Sequence, residues 1–398
     1  MGKNKPNAIV GQSGGPTAVI NATLAGVVCG AYGNVNKLYG MQNGISGVLN
    51  EEMVDLSYLF GNDKLLLELE NTPGAVLGSC RVRMPDDLDS IVYKEIFEVF
   101  DKYSIGYVFY IGGNDSMDTV AKLSAYSKKI SSGVSIIGIP KTVDNDLALT
   151  DHSPGYGSAA KYIATTACEL WQDVSSYNLP SVTLLEVMGR DTGWLGCACA
   201  LPTCFFGSGA TLVYLPEAEF NIDSFLGDVE RELSHGKPIL IGVSEGISYG
   251  KKGEVRDGFG HSTLAGVGSA LEKKIKSQFR CKTRTVELNL PQRCAAHLLS
   301  LTDILESKEI GVASVKMALE GKSGKMSAFV RRTGAYGVDI TDVDAYLVAN
   351  RVKSVPREFI NSDKNFVTAE CVEYLSPLIL GERKVQLEKG IPPHFRLR

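Results

Sequence analysis

Two hydrophobic periodicities alternate along the chain. Short apolar, β-branched runs stand at residues 7–11 (NAIVG), 36–39 (NKLY), 107–111 (YVFYI), 134–139 (VSIIGI), 181–187 (SVTLLEV), 211–215 (TLVYL) and 238–243 (PILIGV). Runs of this length and composition predict buried strands. Between them apolar residues recur at helical spacing. Residues 85–103 carry Leu88, Ile91, Val92, Ile96, Phe97 and Phe100, and residues 155–176 carry Tyr162, Ile163, Leu170 and Trp171. Further helices are expected up to about Tyr32, from Asn114 to about Lys129, and at 297–305 and 313–320. Strand and helix in alternation predict a doubly wound parallel sheet. The same logic restarts at about residue 148. The fold class expected is therefore α/β, with two doubly wound, mainly parallel-sheet domains and the active site in the cleft between them. Residues 1–147, joined by about 291–345, are expected to form one domain and 148–290 the other. Residues 256–268 read as a glycine-rich connection, and residues 346–398, with Pro356, Pro377, Pro392 and Pro393, as an extension packing on the body.

Polar residues gather where the strands end, which is where open α/β sheets hold ligands. The stretch GIPKTVDND, residues 138–146, follows a strand with Lys141, Thr142, Asp144 and Asp146. Two carboxylates two residues apart can divide the labour, one taking a proton and the other steering a metal. The lysine can neutralise a phosphoryl group in flight. A plain polar turn held by Asx hydrogen bonds is the alternative. GQSGGPTAVIN, from Gly11 with Gly14 and Gly15, lies between strand and helix, where backbone N–H groups can face an anion. Its spacing is neither that of dinucleotide folds nor that of P-loops. GGNDSMDT, residues 112–119, brings Gly113, Asn114 and Asp115, although Asp115 or Ser116 can equally be a helix cap. Arg81 in the loop 71–83, Arg190 after Met188 and Gly189, Glu245 in SEG, and Arg284 and Arg293 in KTRTVELNLPQR complete the set. An arginine on a glycine-rich loop suits phosphate recognition, and an isolated one is more often a solvated surface residue.

Composition narrows the classes. The chain has 398 residues, 44% hydrophobic and 22% charged, with a formal net charge of −4. That is ordinary globular composition, and no basic excess points to nucleic acid. No run of about 18 apolar residues predicts a membrane span. The N-terminus lacks a signal-peptide core, and Pro6 stands where a myristoylation motif wants Ser or Thr. The nine cysteines show no repeated spacing, which favours reduced thiols and a cytoplasmic location. None of the five histidines falls in a motif.

Taken together, these loops resemble the phosphofructokinase family over most of residues 7–325. Gly14-Gly15, the segment ending at Arg81, GGND at Gly112, PKTVDND at Pro140, MGR at Met188, SEG at Ser244 and QR at Gln292 stand in the family's order. Within it, Asp115 and Lys141 resemble the pyrophosphate-dependent branch, because ATP-using members carry glycine at both positions. An ATP α-phosphate near Asp115 would face a like charge, worth about 4 kcal/mol at ~4 Å and an effective dielectric of ~20.

The resemblance implies Mg2+-assisted transfer of a phosphoryl group from pyrophosphate to the 1-hydroxyl of fructose 6-phosphate, near reversibly, in glycolysis. It implies Asp144 as general base, Lys141, Asp115 and Arg81 as further catalytic residues, and Gly14, Gly15, Arg81, Gly113 and Lys141 around pyrophosphate. Thr142, Val143, Asp144, Met188, Gly189, Arg190 and Glu245 would bind the sugar, with Arg284 and Arg293 on its 6-phosphate. Asn114, Asp115 and Asp146 would stand on the metal side, and the first domain would be the donor-binding one. A homodimer or homotetramer is implied, with no nucleic acid or membrane partner.

Three departures stand out. Asn114 replaces a metal-side aspartate, Ser181 replaces an interface arginine of ATP-using bacterial relatives, and Leu290 and Pro291 stand where many relatives keep a histidine. An ATP-dependent kinase, a sedoheptulose-7-phosphate kinase and a non-catalytic sugar-phosphate sensor are the alternative readings.

Overall fold

The computed structural model describes residues 5–80, 82–177, 179–249 and 266–397. Arg81 and most of the connection expected at 256–268 lie outside the described residues. The strands are β1 (Asn7–Gln12), β2 (Leu38–Met41), β3 (Met53–Asp55), β4 (Ile105–Gly112), β5 (Ser135–Pro140), β6 (Ser181–Val187), β7 (Leu212–Tyr214), β8 (Ile239–Ser244), β9 (Lys282–Glu287), β10 (Lys325–Arg331) and β11 (Val338–Asp344). They form a seven-stranded sheet in the order β11-β10-β5-β4-β1-β2-β3 and a four-stranded sheet in the order β7-β8-β6-β9. The smaller sheet is parallel throughout. In the larger one the edge strands β3 and β11 run antiparallel to their neighbours.

Both sheets are covered on both faces, as parallel sheets must be to keep their apolar strands dry. On one face of the larger sheet, Val10, Phe109, Ile137 and Ile139 pack with Leu24 and Val28 of the helix Ile20–Ala31 and Ile310 and Val315 of the helix Leu301–Leu319. On the other, Ile9, Val108 and Ile136 meet the helices Ile91–Lys102 and Asn114–Lys129. Fully burying each such side chain contributes about 1.5–3 kcal/mol.

Several expectations need correction. Residues 297–305 and 313–320 do not form two helices; Leu301–Leu319 is one helix running through Gly311. That glycine does not break the helix because it is a contact point: a Cβ there would strike the Thr23 carbonyl oxygen, and one on Gly26 would strike the Lys308 carbonyl oxygen. The second strand begins at Leu38 rather than at 36, and the short helix Ile45–Leu49 follows it. Strands β3, β9, β10 and β11 carry charged or polar residues that break up the apolar run, and the sequence reading missed them. The extension beyond residue 345 contributes side chains to the core. Val355, Ile360, Val367, Cys371, Leu375 and Leu378 are buried in one cluster with Leu185, Leu195 and Leu240. Among the described residues no helix is long and apolar enough to cross a membrane.

Candidate active site

The strand order brings three loops together. β1 lies beside β4 and β4 beside β5, all parallel, so the segments after Gln12, Gly112 and Pro140 leave the sheet on the same side. The sequence turns to β2 on one side of β1 and to β4 on the other, a switch point of the kind where α/β sheets open a crevice. In the smaller sheet Val187 of β6 pairs with Ser244 of β8, which puts Met188–Arg190 beside Glu245.

Local geometry follows from small residues and short bonds. Gly14 takes φ +74, a left-handed conformation that glycine adopts without strain. Its N–H donates to the Cys80 carbonyl (3.3 Å) and its carbonyl accepts from Ser79 Oγ (2.6 Å), tying the segment that leads to Arg81 onto the glycine loop. Gly112 has no room for a Cβ, because Ser116 Oγ fills that position at the start of the helix Asn114–Lys129. The Lys141 N–H donates to the Gly112 carbonyl (3.1 Å), and its ammonium donates to the Gly15 carbonyl (2.6 Å). That side chain is only 3% exposed. A buried cation thus spans from the third loop to the first.

A cleft of about 380 Å³ results. Gly14, Gly15, Gly113, Asn114, Asp115, Lys141, Thr142, Val143, Asp144, Asp146, Met188, Arg190, Glu245 and Arg293 all line it. Gly189 adjoins it, at φ +125, with its N–H donating to Glu245 Oε1 (3.3 Å). The Arg293 guanidinium stands 3.2 Å from the place a Gly15 Cβ would take, so it faces the glycine loop. Arg284 is the exception: in this chain it stands apart from the cleft. It pairs with Thr183 on β6, four residues before Val187 and so roughly 13 Å from the loop end. Its side chain lies 3.8 Å from Asp173 and lines a separate cavity of about 520 Å³ with Tyr177 and Leu179. That cavity is larger than the cleft, but it lacks the carboxylates.

Burial acts on the carboxyls of the cleft. Burial pushes the Asp144 carboxyl up to about 7, Asp146 and Glu245 push the same way, and Lys141 and Arg190 pull it down. Glu245 is also pushed up to about 7, first by burial. Burial raises Asp146 as well, against a hydrogen bond from Thr142. Asn114 Nδ2 donates to Asp146 Oδ2 (3.3 Å), while Asn114 Oδ1 is buried with no hydrogen-bond partner. An orphaned amide oxygen beside crowded carboxylates fits a Mg2+ ion, which takes oxygen ligands and commonly uses one or two carboxylates plus substrate phosphates. Among the described residues no group of three or more His, Cys, Asp or Glu side chains forms a complete metal cage. A metal here would draw the rest of its shell from the donor and water.

Sequence reasoning missed several residues at this site. Ser13, Ser116, Asp191 and Val352 also line the cleft. Thr192 Oγ1 donates to the Asp144 carbonyl (3.2 Å). Asn145, between the two carboxylates, was readable from DND; Val352, deep in the C-terminal extension, offered no signal.

Known proteins resemble this chain over nearly its whole length. The family model described as Phosphofructokinase matches residues 7–318. A pyrophosphate–fructose 6-phosphate 1-phosphotransferase of Halomonas elongata is 39% identical, over 98% of this chain and 96% of that one. Its namesake in Methylococcus capsulatus is 38% identical with the same coverage. The crystal structure of a pyrophosphate-dependent phosphofructokinase from Marinobacter aquaeolei superposes with a TM-score of 0.88 at 36% identity, covering 98% of this chain and 95% of that one. With strand order, cleft and kinship in agreement, this chain is an enzyme of the phosphofructokinase family.

Proposed function

We propose that the enzyme transfers a phosphoryl group from pyrophosphate to the 1-hydroxyl of fructose 6-phosphate, giving fructose 1,6-bisphosphate and phosphate. The observation that carries this reading is the cleft lysine: buried Lys141 bonds the Gly15 carbonyl while Asp115 stands in the same wall. A fixed positive charge suits a compact inorganic donor, and the carboxylate repels the α-phosphate of a nucleotide. The names of the close relatives point the same way.

In this reading Asp144 takes the proton from the sugar 1-hydroxyl. Its carboxylate must be ionised to do so, and Lys141 and Arg190 favour that form against burial. Lys141, with Arg81, holds charge on the phosphoryl group as it moves, and N–H groups of the Gly14–Gly15 and Gly113 loops cradle pyrophosphate. Thr142, Val143, Met188, Gly189, Arg190 and Glu245 hold the sugar, and Arg293 meets phosphate charge at the glycine-loop wall. Asn114, Asp115 and Asp146 would hold Mg2+, which supplies charge neutralisation between the donor phosphates. We assign the reaction to glycolysis in the cytoplasm, near reversible, in a homodimer or homotetramer.

A coupled assay with one donor at a time tests the donor. Pyrophosphate is expected to support turnover and ATP to give little or none; turnover with ATP alone overturns the reading. Running sedoheptulose 7-phosphate beside fructose 6-phosphate checks the acceptor.

A further inference from the structure

Asn145 separates the two cleft carboxylates in the chain, so its backbone sets the directions in which they leave. It takes φ +54, the left-handed region that asparagine tolerates better than most residues. Its side chain is fully buried. The bonds that fix it come mainly from the C-terminal extension. Lys353 Nζ donates to Asn145 Oδ1 (3.3 Å), and Asn145 Nδ2 donates to the Tyr374 hydroxyl (2.9 Å). The same lysine donates to the carbonyls of Thr150 (3.1 Å) and Asp151 (2.8 Å), so each of its three ammonium protons has an acceptor on this loop. The Tyr374 hydroxyl in turn donates a hydrogen bond to the Asp151 carbonyl (2.6 Å).

The backbone joins in. The Lys353 N–H donates to the Asp146 carbonyl (2.8 Å), and Val352 bridges to Leu147. On its far side Lys353 is held by Trp194, from the segment after β6. The indole N–H donates to the Lys353 carbonyl (2.8 Å), and the ammonium lies 5.2 Å from the indole ring. Trp194 and Tyr374 rings pack 5.2 Å apart.

We propose that Lys353 and Tyr374 are positioning residues, which clamp the loop 144–151 through Asn145 and so aim the Asp144 and Asp146 carboxylates at the substrates. The C-terminal extension is then part of the reaction apparatus, although neither residue lines the cleft. The inference rests on the reading of Asp144 as the base and Asp146 as a metal-side carboxylate. A loop released from the clamp still offers its groups to the substrates, but in poorer alignment. Misplacement of about 1 Å costs on the order of 100-fold in rate.

Lys353→Met and Tyr374→Phe keep the bulk of each side chain and remove its polar atoms. In the full-length enzyme both are expected to lower kcat by roughly 10- to 100-fold while KM for sugar and donor stays within about twofold. Amide hydrogen exchange of the peptide covering 144–151, measured without substrates, is expected to speed up while that of β1 and β4 does not. Gly26→Ala, behind the larger sheet, serves as a control that lowers stability without touching the clamp, and it should keep wild-type kcat. Wild-type kcat in both clamp variants, parallel changes in kcat and KM, or unchanged exchange of 144–151 would each overturn the proposal. If wild-type enzyme turns over neither donor, the proposed function fails, and the exchange result still decides whether the clamp exists.

Discussion

Asp144 is surrounded by charges of both signs. Burial and two neighbouring carboxylates push its carboxyl to about 7, and two cations oppose them. Replacing it with Asn should lower kcat by on the order of 10²–10⁴-fold, the usual range for losing a general base. Steady-state kinetics should show little change in KM for the sugar. In the proposed reading, donor choice belongs to Asp115 and Lys141. The double change Asp115→Gly with Lys141→Gly is expected to relax the preference for pyrophosphate in the single-donor assay, and an unchanged ratio would remove these residues from that role. Beyond the cleft, His152 is wedged between Asp151 Oδ2 (2.8 Å) and Glu306 Oε2 (2.7 Å). Burial alone would lower its pKa, but the hydrogen bonds to both carboxylates outweigh it and raise it above 6.5. Its contribution is therefore whole below pH 6.5 and is lost as pH rises through the folded-state value. Asp151 runs the other way. Burial opposes ionisation, yet bonds from His152 and Arg331 bring it down to about 2, so its share is present above pH 3.8 and lost as pH falls through about 2. Urea-unfolding free energies of wild type and His152→Gln should differ most between about pH 4 and 6.5 and converge towards alkaline pH.

At the scale of elements, most of what frames the cleft could be read from the sequence. The runs 107–111 and 134–139 became β4 and β5 because a continuous apolar stretch has one stable home, between two helical layers. The loops that follow them carry the motif residues, and the parallel order brings those loops side by side. The sequence predicts helices at 297–305 and 313–320, whereas one helix, Leu301–Leu319, runs through Gly311. Helix-breaking tendency is a local property, while the gap that Gly311 fills is set by Thr23 on another helix, far away in sequence. The Gly26→Ala variant should therefore unfold at lower temperature, by an overpacking cost of about 1–3 kcal/mol seen in calorimetry. The distance of Arg284 from this chain's own cleft has a related cause. Its motif spacing is right, but the register of β9 against β6 sets how far along the sheet it stands, and register is not written in a single strand. Val352 and Lys353 were invisible because nothing in an irregular, proline-marked tail says which loop it will cross.

For the whole molecule, the tail changes what counts as the enzyme. Val355, Ile360, Val367, Cys371, Leu375 and Leu378 sit in the core cluster that also holds the smaller sheet. Six such burials are worth on the order of 10 kcal/mol, as much as the net stability of an ordinary domain. A chain ending at residue 345 is expected to be recovered aggregated rather than merely inactive, which sedimentation of the purified product would show.

The larger sheet has one further consequence, for synthesis. β5 is made early, but its neighbour β10 lies far along the chain, with 185 positions separating Pro140 from Lys325. At translation speeds of about 5–20 residues per second, the strand that carries Lys141 and the two carboxylates at its end waits roughly 10–40 s on the ribosome with one side unpaired. Slowing elongation between those points would lengthen that wait, and nascent chains should then be lost through that open edge before the second sheet fails.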